Sequence, residues 1–254
     1  MSGTPVQPPI GELMARYLQQ RTDAQEAGLV SADTTGEVVP FDAAPVQTVD
    51  PRLAWEEALA ALPGKAGKQL SAPPDWPQLV AAQEPATGLA FATGNFPQLV
   101  RHVQPLLHAT DLTKLRPTAG RPLALPGLLP WAAQQTEFPA ALLALGALRL
   151  ARQWDTAAGL IAVLKNAPTE WQAALANEQA AQAWHQGRAE EAVKAWQALP
   201  DSVPVLFNRG MAAVFMGKPA DARKPLQQAI AQIPEDGAWH HLGQLYLALA
   251  QMRG

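Results

Sequence analysis

Cysteine is absent from the 254 residues of this chain, and that one gap excludes disulfides, thiolate nucleophiles and thiolate metal sites together. Charge is scarce as well: 16% of residues are Asp, Glu, Lys or Arg, against about 25% in an ordinary soluble protein. The net charge is −3 with a pI near 5.9, and no cluster of Lys and Arg supplies the electrostatic footprint of a nucleic-acid binder. Long apolar runs are missing too. The longest, AALLALGAL at 140–148, falls far short of the roughly 20 residues that span a bilayer. The opening MSGTPVQPPIGE has no basic stretch leading into an apolar one, so no signal peptide is expected. These absences place the expected chain in the cytoplasm, with no membrane span and no nucleic-acid partner.

Motifs for chemistry are equally scarce. LPGKAGK at 62–68 is the nearest approach to a phosphate-binding loop, but it lacks both the glycine spacing and the hydroxyl residue after the lysine, and a solvated turn explains it better. There is no Gly-x-Ser-x-Gly elbow and no His-Glu-x-x-His helix. Of the five histidines, His102 and His108 flank Pro105 and cannot share a helix face, while His240 and His241 are adjacent, which turns their rings about 100° apart on a helix. Glu190 and Glu191 open a helical stretch, where carboxylates favour the dipole. The expectation is no metal, no cofactor and no catalysis; a helical enzyme without a recognisable motif is the alternative.

What is abundant is helix-forming material: 48% of residues are hydrophobic, and alanine, leucine and glutamine recur throughout. Near the end, Trp239-x-x-Leu242-Gly243-x-x-Tyr246 puts two rings and a Leu-Gly pair at helical spacing. The same grammar stands upstream in Gly210, Gly217, Ala222-x-x-x-Leu226, Ala229 and Pro234, with Gly210 and Gly243 lying 33 positions apart. Small residues at Gly210, Ala222 and Ala229 suit places where helix backbones cross. Leu206, Leu226, Trp239, Leu242 and Tyr246 suit the gaps between neighbours, and Pro234 stops a helix. A preceding hairpin is legible in Ala180, Gly187 and Ala192-x-x-x-Trp196, shortened before Pro200, and a looser one in Trp154, Ala157-x-x-x-Ile161 and Pro168. A fourth repeat-like stretch is GLAFATGNFPQLVRHVQPLL at 88–107, with Gly94-Asn95-Phe96 at the turn.

This pattern resembles the tetratricopeptide repeat (TPR) family over residues 170–254, and more loosely from 138. The resemblance implies an all-α fold, a right-handed superhelix of antiparallel helix hairpins in which one hairpin cannot bury its apolar face alone. Two departures stand out. Arg209 replaces the usual leucine before the glycine, and Pro225 falls inside a second helix, where a kink is expected.

The N-terminal third reads differently. Ile10, Leu13, Met14, Tyr17 and Leu18 form an amphipathic stripe, followed by an extended strap or linker over 29–49. Asp50-Pro51 opens another helix. The expected division is therefore 1–49, helix plus strap; 50–125, a degenerate helical subdomain; and 126–254, repeats ending in a lone apolar helix, with the Pro-rich loop 110–130 as the boundary.

The family resemblance also implies a function: a protein-interaction module, adaptor or chaperone-like, holding a partner segment in its concave groove. Phe207, Met211 and Phe215 form an i, i+4, i+8 stripe on the first helix of a hairpin, flanked by Asn177, Ala181 and Trp184 on one side and His240, Gln244 and Leu247 on the other. A clamp for acidic chaperone tails is disfavoured: Asn177 and Asn208 answer two of its positions, but Ala181, Gly237 and His241 fail the other three. An apolar segment suits the stripe better, and filling by the chain itself is the competing reading. The last helix carries Leu242, Leu245, Leu247 and Leu249 around much of its circumference, so a homo-oligomeric scaffold assembled through Leu245 and Leu249 is the alternative function.

Overall fold

Small residues at helix crossings and glycines at turns favour a succession of short helices, and the computed structural model is helical with no strand over the residues it describes, 85–95, 100, 122 and 127–253, apart from turns and loops. Among them eight helices are delimited and no strand occurs. They are α1 (Leu128–Ala132), α2 (Ala140–Leu150), α3 (Trp154–Leu164), α4 (Thr169–His185), α5 (Ala189–Ala198), α6 (Val203–Phe215), α7 (Pro219–Ile230) and α8 (Ala238–Met252). The expected helix over 10–18, the strap at 29–49 and the helix opening at Asp50 lie outside the described residues.

Helices α2 and α3, α4 and α5, and α6 and α7 pack as hairpins, and α8 packs on α7 and α6. Each first helix ends in the same way. The amide three residues past the helix end reaches back to a carbonyl five residues earlier: Gln153 to Leu148, Arg188 to Ala183, Lys218 to Ala213, all at 2.9 Å. Such an ending needs a left-handed residue in the turn, supplied by Arg152 (φ 57°), Gly187 (φ 81°) and Gly217 (φ 71°). Close crossing is equally visible in the α6–α7 pair, where a Cβ on Gly210 would stand 2.4 Å from Leu226 Cγ.

One departure from the repeat pattern, Arg209, has a local account. Helix α5 is the shortest of the second helices, and it leaves carbonyls at its C-terminal end without helical partners. Arg209 supplies them: its guanidinium donates to the carbonyls of Trp196 at 2.9 Å and Leu199 at 2.6 Å, and to Asp201 at 2.6 Å. A leucine could do none of this. Helix α7, by contrast, runs on through Pro225.

Aromatic rings carry the core from one hairpin to the next. Trp196 lies 5.9 Å from Trp184, which meets Phe215 at 6.2 Å; Phe215 meets Tyr246 at 5.5 Å, and Phe207 meets Trp239 at 5.2 Å. These residues come from α4, α5, α6 and α8, so no hairpin buries its own rings alone.

Residues 85–95 are the departure with consequences. The repeat-like reading of 88–107 asks for a first helix before Gly94-Asn95, yet 85–95 contains no helix. It runs as a turn closed by Leu89 N–H to Ala86 C=O at 3.0 Å, a stretch without regular structure and a second turn at Thr93-Gly94. Gly88 and Gly94 have φ of 77° and 83°, and neither conformation fits a right-handed helix. Freed from helical bonding, the main chain of this stretch must find partners elsewhere.

Candidate groove and its occupant

Those partners are side chains of α2, α4, α6 and α8. Asn208 of α6 holds Phe91 by both main-chain groups: its Oδ1 accepts from Phe91 N–H at 2.6 Å, and its Nδ2 donates to Phe91 C=O at 2.9 Å. Pairing of this kind imitates a neighbouring β-strand and fixes the orientation of the amide. Asn177 of α4 donates to the same carbonyl at 3.0 Å, and its own Oδ1 accepts from Trp196 Nε1 at 3.0 Å and Asn208 Nδ2 at 3.1 Å. Gly88 is gripped at both ends, with N–H to the Tyr246 hydroxyl at 2.8 Å and C=O from Trp184 Nε1 at 2.9 Å. Ala90 N–H donates to His185 Nε2 at 3.2 Å.

The side chains of the segment are enclosed as well. Leu89, Ala90, Phe91 and Ala92 have no solvent exposure. The Phe91 ring lies 4.4 Å from Trp239 and 5.4 Å from Phe207, centroid to centroid, which joins the segment to the aromatic core.

An ionic group closes the far end. Arg149 and Glu178 are both about 1% exposed and pair at 3.4 Å. The Arg149 Nη2 donates to Thr93 C=O at 3.2 Å and to Asn95 Oδ1 at 2.7 Å, while Asn95 Nδ2 returns to Ala90 C=O at 2.9 Å. Burial pushes the Glu178 carboxyl up to about 7, against the opposing pull of Arg149 and of Thr93. Burial likewise lowers Arg149, with Glu178 acting against it.

His185 is held neutral by burial first, then by the charges of Arg149 and Arg152, which put its pKa well below the usual histidine range. A backbone amide can only donate, so Nε2 is the acceptor and Nδ1 carries the proton. Protonation would abolish the bond to Ala90. The linkage signs of the two groups oppose each other. Glu178, raised when folded, contributes stability that is full below about 4.5 and is lost as pH rises through about 7. His185, depressed when folded, contributes stability that is present above 6.5 and is lost as pH falls below it. His185→Gln keeps an acceptor for Ala90 without a titrating ring, so this variant is expected to be more stable at pH 5.5 than at pH 7.5. Denaturant midpoints at the two values read this directly, and the wild-type chain should show a smaller difference.

Of the residues expected to line the groove, Asn177, Ala181, Trp184, Phe207, Met211 and Phe215 are all buried in the one core that includes 89–92. On α8 the sequence points to His240, Gln244 and Leu247. The residues of that helix that meet the segment are Trp239 and Tyr246. His240 is half-buried and its Nδ1 donates to Ile233 C=O at 3.2 Å, Gln244 is exposed, and Leu247 is half-buried. Leu245 is 40% exposed and Leu249 half-buried against the core. Sequence reasoning missed His185, Arg149 and Glu178 as groove residues, although an arginine inside the apolar run AALLALGALRL is itself a signal that a buried partner exists. Among the described residues, no three His, Asp or Glu gather as a metal site requires, and no helix is long and apolar enough to cross a membrane.

No family model, no curated protein and no solved structure matches this chain.

Proposed function

We propose that the chain is a protein-interaction module of tetratricopeptide type, a right-handed superhelix of hairpins whose groove receives an extended polypeptide segment and is held closed in cis by residues 88–95. One observation carries this reading: the groove binds the main chain of its occupant. A buried stretch without helical bonds needs partners for its peptide groups in any fold; here they are side chains of α4, α6 and α8, the helices on which the expected groove residues stand. Asn177, Asn208, His185, Trp184 and Tyr246 bond its peptide groups, and capture of peptide groups is how grooves hold extended ligands. The module acts as an adaptor or chaperone-like receptor, and a partner enters by replacing the cis segment.

Hydrogen exchange tests this on the unmodified chain. If the segment is a releasable occupant, the amides of Gly88, Ala90 and Phe91 exchange through local opening, at least a hundredfold faster than the central amides of α4 and α6. Exchange of all of them at one common rate, set by global unfolding, would reduce the segment to a permanent part of the core.

A further inference from the structure

The occupant of the groove obeys a spacing rule, and this deepens the reading of the groove as a peptide receptor, on which it rests. Three positions are set by geometry that disfavours other residue types. Gly88 has φ +77°, a left-handed conformation that side chains resist, and it is locked there by Tyr246 and Trp184. Gly94 has φ +83°, and a Cβ on it would stand 2.6 Å from Gly146 Cα and 2.9 Å from Leu143 C=O, backbone atoms that cannot rotate away. Midway between them, Phe91 fills the aromatic enclosure of Trp239 and Phe207. Ala90 and Ala92 beside it are fully buried and small. Asn95 ends the pattern by bonding Arg149 and closing back on Ala90.

We propose that the groove is specific for the pattern Gly-x-x-Phe-x-x-Gly-Asn, with small apolar residues on either side of the phenylalanine, and that its external partner is a polypeptide presenting this pattern in an extended stretch. Acidic tails fit poorly, because the cation at the segment, Arg149, is already matched by Glu178. The cis segment shields the site from weak competitors. A tethered ligand has an effective concentration on the order of 1 mM, so a free peptide making equal contacts at roughly 10 μM would take about one groove in a hundred.

The test therefore uses full-length chains whose own segment is weakened, Phe91→Ala and Gly94→Ala, and a fluorescent peptide with the sequence of residues 85–95, PATGLAFATGN. Anisotropy should show at least tenfold tighter binding to either variant than to the wild-type chain. Replacing Gly88, Phe91 or Gly94 by alanine in the peptide should each weaken that binding at least tenfold. If all four peptides bind the variants alike, the spacing rule is wrong while the groove remains a receptor. If none binds although circular dichroism reports the full helical signal, the receptor reading falls with it. Gly94→Ala keeps the test open should Phe91→Ala not fold, since it acts at the far end of the segment and leaves the aromatic enclosure of Phe91 its ring.

Discussion

Phe91→Ala is expected to destabilise the chain by about 3–5 kcal/mol, the range found when a fully buried phenylalanine is truncated in a core that cannot collapse. For a chain of this size that corresponds to roughly 6–20 °C in melting temperature. The large value follows from where the ring sits: with no solvent exposure, against Trp239 of α8 and Phe207 of α6. A cavity there is lined by rings from two helices and cannot be filled by one side chain turning. The far-ultraviolet signal should fall little at low temperature, because the helices keep their own bonds, while the denaturant midpoint should drop clearly. A loss below about 1 kcal/mol would mean that the segment contributes little to the fold.

The second large effect belongs to Arg149. Removing one member of a buried ion pair costs about 3–5 kcal/mol, because the other is left charged without a partner. Arg149→Met should show this at pH 8, where Glu178 is ionised, and the loss should shrink toward pH 5. The sign follows from linkage: without Arg149 the carboxyl rises beyond about 7, and a group raised in the folded state stabilises below its unfolded value and ceases to do so as pH rises. The double replacement Arg149→Met with Glu178→Leu should recover part of the loss, since no charge is then stranded. Recovery stays incomplete because Thr93 C=O and Asn95 Oδ1 still lose their donor. Equilibrium unfolding of the two singles and the double gives the coupling.

How much of this was readable from residues alone differs by element. The α6–α7 pair and α8 were legible because their contacts are local: Gly210 against Leu226, Leu-Gly-x-x-Tyr within one helix, Pro234 after α7. The stripe Phe207, Met211, Phe215 was legible as a face, and Asn177 and Asn208 as polar positions on it. What covers that face was not. The segment 88–95 has no periodicity, its Gly94-Asn95 reads as the turn of a hairpin, and its helical partners lie 54 to 158 positions away. Helical pattern says nothing about contacts at such range. The pairing of Arg149 with Glu178 was hidden for the same reason: each side chain looks anomalous in its own helix, and only the fold brings them to 3.4 Å.

Distance along the chain also becomes time during synthesis. Gly88 donates to Tyr246, 158 residues later, so at ribosomal speeds roughly 8–30 s separate the emergence of the segment from that of this anchor. During that interval Phe91 can reach Asn177 of α4 and then Asn208 and Phe207 of α6, but the Trp239 side of its enclosure is missing. The hairpins can close in order as they leave the exit tunnel, since each depends mainly on its immediate neighbour, but the enclosure of the segment is completed only when α8 supplies Trp239 and Tyr246. The nascent chain therefore carries an apolar stretch whose cover is incomplete until α8 is translated, a window in which it can join other chains.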